Sequence, residues 1–417
     1  MTNKLIEQLS IVTDSKIVLV VIDGLSGIPN ESGRTELETA NIPNLDALAM
    51  DSICGVTDPI ALGITPGSGP AHLSLFGYDP LVHKIGRGLL EALGIDFPLE
   101  SGDLAVRGNL ATMDKNGLIS DRRAGRISTE ENIKVCKLLE GIEIDGVKVF
   151  VKPVKDHRIA IIFRGGYKGL SDAISETDPQ REGIAPLLAT PLTVTDIEES
   201  ENNSALPISV MRSATADIVN KFIEEVKKRL ASSHPANMIL LRGFAKSQKL
   251  PSFHERYKLR AAAIAIYPMY RGLAKLAGME ILPAYGKLVD EFECLRQNLD
   301  KYDFFYLHVK YADSAGEDGN FEKKVAVLED VDSYIPGLLE LKPTVLIVTG
   351  DHSTPAVLKG HSWHPVPMII HGKYTGKDDV HEFSEKECAK GGIGRIPAMQ
   401  IMSLAMANAL KLTKYGA

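Results

Sequence analysis

KIVLVVID, Lys16 to Asp23, places six apolar residues in a row and ends on an acid. A strand with one wet face alternates apolar and polar. An unbroken Val/Ile/Leu run of this length instead fits a strand covered on both faces, as in a parallel sheet flanked by helices. DFFYLHVK (Asp303 to Lys310) and PTVLIVTGD (Pro343 to Asp351) repeat the pattern near the other end of the chain, and Val366 to His371 reads as a further short strand. Helices are expected over Pro43–Met50, with Pro43 in the first turn, from Ala71 to Phe76, and from Phe321 to Leu341. The predicted fold class is α/β, with a mostly parallel central sheet flanked by helices and built from both ends of the chain.

The middle of the chain reads differently. Leu104–Met113, Val147–Val154, His157–Arg164 and Asn237–Arg242 are expected strands. Ser128-Thr129-Glu130-Glu131 is a capping box opening a helix, and Ala214–Leu230 is an amphipathic helix. Gly165 to Pro207, rich in Ser, Thr, Asp, Asn and Pro, is expected to be mostly loop. Strands and helices mixed in this way suggest an inserted α+β domain. The expected division is a discontinuous core of residues 1–85 and 265–417 around an insert of residues 86–264.

Composition narrows the function. The chain has 417 residues and a formal net charge of -7, which argues against a general nucleic-acid surface. Its four cysteines form no C-x-x-C pair, no apolar run reaches membrane-spanning length, and MTNKLIEQLSIVTDSK lacks the apolar core of a signal peptide. The expectation is a cytoplasmic protein with no disulfide framework, no membrane and no nucleic-acid partner; a homo-oligomer is compatible with all of this.

Three acids follow three expected core strands: Asp23, Asp313 and Asp351. In an open α/β sheet the carboxyl ends of the strands share one edge, where ligands bind. His352 adjoins Asp351, Glu317 lies four residues beyond Asp313, and GHSWHPVP brings His361 and His364. A single such Asp is more often a loop cap, and a lone His more often structural. Their joint occurrence points to a carboxylate and imidazole set that binds two divalent metals. In GITPGSGPAHLSLFGYDP, Gly63 to Pro80, Ser68 stands between glycines. A hydroxyl at neutral pH is a poor nucleophile, but a divalent cation beside it lowers its pKa, glycines admit a phosphate, and a helix start offers N–H groups to an anion. Arginines for an anionic substrate are available in the cluster Asp121-Arg122-Arg123-Ala124-Gly125-Arg126, at Arg158 and Arg164, and at Arg242 and Arg271.

VVIDGLSG, TELETANIPNLDALA, GITPGSGPAHLSLFGYDP, DRRAGR, LHVKYADSAGEDGNFEKKV, VTGDHSTP and GHSWHPVP together resemble the archaeal-type cofactor-independent phosphoglycerate mutases of the alkaline phosphatase superfamily. The resemblance implies a phosphatase-like metal-binding core with an inserted transferase domain. It also implies interconversion of 3-phosphoglycerate and 2-phosphoglycerate without 2,3-bisphosphoglycerate. By motif, Ser68 matches the serine that carries the phosphoryl group. Asp23, Ser68, Asp351 and His352 match one metal site, and Asp313 and His361 the other. Arg123 and Arg126 match groups that hold the glycerate, with Arg122, Arg158, Arg164, Arg242 and Arg271 as further substrate-binding candidates and Lys310 as a partner for the phosphate.

One position departs from the pattern. Superfamily members commonly carry D-x-x-x-H at the second metal site, whereas Asp313-Ser314-Ala315-Gly316-Glu317 places Glu at the histidine position. Three readings stand: Glu317 ligates through oxygen, His364 takes the place, or the second site is weak. An oxygen ligand favours Mn²⁺, with Mg²⁺, Co²⁺ or Zn²⁺ as the other candidates. Two other functions compete with a mutase. One is a metal-dependent phosphomonoesterase, or a mutase of another phosphorylated metabolite, built on the same core. The other is a non-enzymatic relative, against which the retained serine and ligands weigh.

Overall fold

The computed structural model describes every residue except 1, 84, 167–168, 193–207, 247–249, 285 and 417. The chain divides into two units, Met1–Lys84 with Leu250–Ala417, and Ile85–Lys249. In chain order, the first unit opens with strands β1 (Ile17–Ile22) and β2 (Ile53–Asp58). The second unit holds β3 (Leu104–Met113), β4 (Ile119–Asp121), β5 (Ile142–Ile144), β6 (Val147–Lys155), β7 (Arg158–Gly165) and β8 (Met238–Lys246). The chain then returns to the first unit through β9 (Ala261–Ile264), β10 (Glu280–Ile281), β11 (Phe304–Val309), β12 (Val345–Thr349), β13 (Val366–Gly372) and β14 (Gly394–Pro397).

The first unit is built on one eight-stranded sheet in the order β10-β9-β11-β1-β12-β13-β2-β14. β1 lies between β11 and β12 and is parallel to both, with Ile22 opposite Val309 and Val21 opposite Thr349. All six of its residues are buried, which is why its sequence does not alternate. Val18, Val20 and Ile22 pack with Leu45 and Leu48 of the helix Pro43–Met50 and with Phe305, Leu307, Leu346 and Val348 of the neighbouring strands. Only β13 runs against its two neighbours, β12 and β2. The sheet is therefore mostly parallel, as its sequence predicts.

The second unit has its own antiparallel sheet, β4-β3-β7-β6-β5, with β8 also paired to β3. The helix Ile208–Arg229 covers one face, where Phe222 meets Phe163 edge to face at 5.4 Å between ring centres. The helix Arg87–Gly94 presses on β3 so closely that a Cβ on Gly88 would lie 2.4 Å from the Val106 Cα.

Several boundaries differ from expectation. The return to the core comes at Leu250, not at residue 265, because β9 pairs with β11 in the core sheet. The helix expected from Ala71 already includes Ser68 and runs Ser68–Leu75. The single helix expected over Phe321–Leu341 is two, Phe321–Asp332 and Ile335–Glu340, the second with proline in its first turn. Ser128 caps its helix, accepting from the Glu131 N–H at 3.3 Å, but the returning bond of a capping box is absent. Ala214 lies inside a helix that begins at Ile208. Of the expected loop from Gly165 to Pro207, the described part holds no helix or strand beyond the end of β7 and an isolated bridge between Ile174 and Pro191, and residues 193–207 lie outside the described residues.

Candidate active site

The carboxyl ends of β11, β1 and β12 stand side by side, and their following residues build the site. Asp23 follows β1, Lys310 follows β11, and Asp351-His352 follow β12. Asp313 sits in the first turn of the helix Tyr311–Glu317. Gly24, at φ +69°, lets the loop after β1 close on this helix: a Cβ there would lie 2.7 Å from the Asp313 Cα and 2.8 Å from the Thr354 Oγ1.

Ser68 is the first residue of its helix, behind an extended Gly67, and it is buried. Its Oγ lies 3.1 Å from the His352 Nε2. The state of that imidazole follows from its other side. The Thr354 hydroxyl donates its one proton to the Asp313 Oδ1 at 2.8 Å, so His352 Nδ1, 3.0 Å from the Thr354 Oγ1, must donate to that hydroxyl oxygen. Nε2 is then left with a lone pair, and burial keeps this histidine below its ordinary pKa, on the neutral side. That lone pair faces the Asp351 Oδ2 at 3.1 Å and the Asp23 Oδ1 at 3.5 Å, and both oxygens are buried without a hydrogen-bond donor.

A lone pair surrounded by donor-less carboxylate oxygens fits a cation. One ligand atom each from Asp23, Asp351 and His352 lie within 4.8 Å of one another, and the same holds for Asp313, His352 and His361. The remaining bonds orient these groups. The Asp351 Oδ1 accepts from the backbone N–H of Gly24 at 3.1 Å and of His352 at 3.0 Å. The Asp23 Oδ2 accepts from the Tyr270 hydroxyl and faces Lys310 Nζ at 3.0 Å. His361 directs Nδ1 at the Pro66 carbonyl, 2.9 Å away, which turns Nε2 toward the Asp313 Oδ1 at 3.4 Å. Its ring stacks on His352 at 3.7 Å between centres.

The charges are strongly coupled. Burial alone raises the carboxyl of Asp23, yet Lys310, His308 and His352 outweigh it and hold the group well below the usual range. Asp313 is likewise brought down to about 2 by His361 and Lys310 against burial and the Asp23 charge. Burial disfavours the charged form of His361, but Asp313 overrides it and raises this imidazole to about 9. Lys310 bridges Asp313 and Asp23 and is shifted upward by both.

The remaining predicted residues fall into two groups. Glu317 is exposed at the edge of the site, its Oε1 4.0 Å from His361 Nε2, and is outside both sets of converging ligand atoms. His364 is outside them as well: its Nδ1 pairs with the Ser362 hydroxyl and its ring stacks on Trp363. Arg271 is on the helix Pro268–Leu276 of the first unit, next to Tyr270.

In the second unit Arg122 grips Asp178 through two bonds of 3.0 and 2.7 Å, and Arg164 is tied to Asp103 by two bonds and to Glu100. These two are engaged within the fold. Arg123 and Arg126 are exposed, while Arg158 and Arg242 are partly buried and Arg242 pairs with Glu176 at 3.1 Å. Sequence reasoning missed Arg87 and Arg107. Arg107 stands opposite Arg242 in the β3–β8 register, and its Nε has no partner. Burial, with Arg158 and Arg87 nearby, brings it down to about 9. His157 falls to about 4 from burial and the charges of Arg158, Arg123, Arg107 and Arg126. Against this cationic group stands the buried Glu91. The overlooked signal is the dipeptide Arg-Gly, which occurs at Arg87, Arg107, Arg164, Arg242 and Arg271. Also missed, in the first unit, were His72, whose Nδ1 lies 3.2 Å from the Asp351 Oδ2, and His308 and Tyr270 beside Asp23.

Residues 49–237 match the family model described as 2,3-bisphosphoglycerate-independent phosphoglycerate mutase. A relative from Aquifex aeolicus, named "Probable 2,3-bisphosphoglycerate-independent phosphoglycerate mutase", is 50% identical over 411 residues, covering 97% of each chain. One of the same name from Thermosipho melanesiensis is 52% identical over 405 residues, covering 97% of this chain and 96% of its own. Among solved structures, the cofactor-independent phosphoglycerate mutase of Thermoplasma acidophilum superposes with a TM-score of 0.67 at 30% identity, covering 95% of this chain and all of its own. A Pyrococcus horikoshii protein superposes with a TM-score of 0.80 at 29% identity, covering 97% and 100%. With half of its residues shared along nearly the whole length of such relatives, the chain belongs to the 2,3-bisphosphoglycerate-independent phosphoglycerate mutase family.

Proposed function

We propose that this chain interconverts 3-phosphoglycerate and 2-phosphoglycerate without 2,3-bisphosphoglycerate, through a phosphoserine at Ser68. The observation that carries the proposal is the Ser68 hydroxyl placed 3.1 Å from a neutral imidazole nitrogen that itself faces two buried carboxylate oxygens without donors. In the first half-reaction a bond forms between Ser68 Oγ and phosphorus as the bond from phosphorus to the glycerate oxygen breaks. The hydroxyl proton leaves Oγ and the departing oxygen gains one. The second half-reaction reverses these events with the other glycerate hydroxyl as acceptor.

Asp23, Asp351 and His352, with Ser68, would hold one divalent cation, and Asp313 and His361 a second, with His352 within reach of both sets. Such cations lower the pKa of a neighbouring hydroxyl and offset charge on the entering and leaving oxygens. The oxygen-rich donor set suits Mn²⁺. We assign Lys310 to the charge of the phosphoryl group. The glycerate carboxylate calls for fixed cations, and Arg107, Arg123, Arg126, Arg158 and Arg242 are the candidates for that role. Four free, buried cysteines support a reducing compartment, and no helix among the described residues is long and apolar enough to cross a membrane.

The test is turnover of 3-phosphoglycerate with Mn²⁺ and no added 2,3-bisphosphoglycerate, following 2-phosphoglycerate and free phosphate together. The expected result is 2-phosphoglycerate without matching phosphate. Phosphate alone would make the same serine and carboxylates those of a phosphomonoesterase and overturn the mutase reading.

A further inference from the structure

The segment TELET (Thr35–Thr39) does not reach the reacting groups, yet it carries a buried acid, and that acid faces a buried lysine. Lys324, on the helix Phe321–Asp332, has no exposed surface. Its ammonium donates to the carbonyl of Ser26 at 3.0 Å and to that of Thr354 at 2.9 Å, with the Glu36 Oε1 3.9 Å away. Ser26 is three residues past Asp23. Thr354 is two past His352, and its hydroxyl bridges His352 to Asp313. Glu36 in turn accepts from the Ala356 N–H at 2.7 Å. Glu385 accepts from the Gly27 N–H at 2.8 Å and the Thr35 hydroxyl at 2.9 Å. One ammonium thus ties together the two loops that carry Asp23 and Asp351-His352, and two carboxylates fasten the far ends of those loops.

We infer that Lys324 is a positioning residue for metal binding: with Glu36 as its counter-charge, it fixes the spacing of the Asp23 and His352 loops. Burying an ammonium is costly, and a methionine of similar length would fill the same volume without that cost. What methionine cannot do is bond two carbonyls at once. The need for such a strut is electrostatic. Asp23, Asp313 and Asp351 repel one another, and the loops that bear them must stay close when no cation draws them together. This inference rests on the metal-dependent reading given above.

The test uses the full chain. Lys324→Met alone strands the Glu36 charge, so it is paired with the double variant Lys324→Met/Glu36→Gln, which removes both charges. Mn²⁺ binding is measured by electron paramagnetic resonance of free Mn²⁺, and melting is followed in chelator. The double variant is expected to melt close to the unaltered chain when metal-free, to bind Mn²⁺ about tenfold or more weakly, and to recover most of its kcat at saturating Mn²⁺. Should the double variant fail to fold, Glu36→Gln alone is expected to weaken Mn²⁺ binding by a smaller factor. Affinity within about twofold of the unaltered chain, in whichever variant folds, would overturn the positioning role. An unaltered chain that bound no Mn²⁺ would overturn the metal reading itself and this inference with it.

Discussion

At Ser68 the chain gathers a helix start, a preceding extended glycine and two imidazoles, one on the hydroxyl and one on the backbone carbonyl. His352 faces its Oγ, and His72, one turn further along the same helix, approaches its carbonyl at 2.8 Å. Neither bond holds the fold together, because the helix Ser68–Leu75 is anchored by the buried side chains of Leu73 and Leu75. Ser68→Ala is therefore expected to lower turnover of 3-phosphoglycerate by about 10⁴-fold or more, the scale on which a nucleophile's removal acts. The metal-free melting temperature should stay near that of the unaltered chain, and Mn²⁺ should still bind at saturating concentration through Asp23, Asp351 and His352. Near-normal turnover with normal Mn²⁺ content would remove the serine from the reaction. The residues proposed for this chemistry stand out in the sequence because they occur in short, chemically loaded runs: an acid after each apolar strand, Gly-Asp-His, and Gly-Ser-Gly. His72, Tyr270 and His308 were not legible. Each lies within a helix or strand, where a lone His or Tyr reads as core, and only the sheet's closure brings it to Asp23 or Asp351.

Among the elements, the buried strands were the easiest to anticipate, since a run such as Ile17–Ile22 admits few other structures. Helix limits were harder: Ser68 reads as a loop residue, and the break between Phe321–Asp332 and Ile335–Glu340 depends on Pro336 within an otherwise continuous pattern. The helix Leu288–Asn298 holds a cost the sequence does not reveal. Glu291 in its first turn looks like an acid favourably placed at a helix N-terminus. In the fold it is buried, its Oε2 lacks a partner, and burial, assisted by Asp290, raises it to about 8. In the unfolded chain this carboxyl ionises near its ordinary 4.5. The folded state therefore holds a proton that the unfolded state releases, and stability is lost as pH rises from about 4.5 to about 8. Glu291→Gln should leave stability unchanged near pH 4.5 and raise it by about 3 kcal/mol at pH 7. Denaturant melts at the two pH values check this, and equal effects at both would mean that the proton is not the cause.

Across the whole molecule, the two units differ in what their charges demand. The first concentrates Asp23, Asp313 and Asp351 in one buried group, with Lys310 as the nearby ammonium bridging two of them. The second concentrates arginines, with Glu91 as a buried acid among them. Each unit has its own sheet and its own apolar core, and the proposed metal ligands all belong to the first. A ligand that binds only the folded form stabilises it by mass action, by about 2.7 kcal/mol at a hundredfold excess over its dissociation constant. Calorimetry of the full chain is accordingly expected to resolve two transitions, with Mn²⁺ raising one by several degrees and leaving the other in place. Chelator should reverse the shift and abolish turnover, and renewed Mn²⁺ should restore both. The Ser68→Ala chain, which loses one proposed ligand but keeps Asp23, Asp351 and His352, should still show a Mn²⁺ shift, smaller than that of the unaltered chain, without turnover, separating cation binding from phosphoryl transfer. Full turnover in a verified metal-free sample would defeat the metal-dependent reading. A shift of the second transition alone would move the cation from the carboxylates at the sheet edge to the other unit.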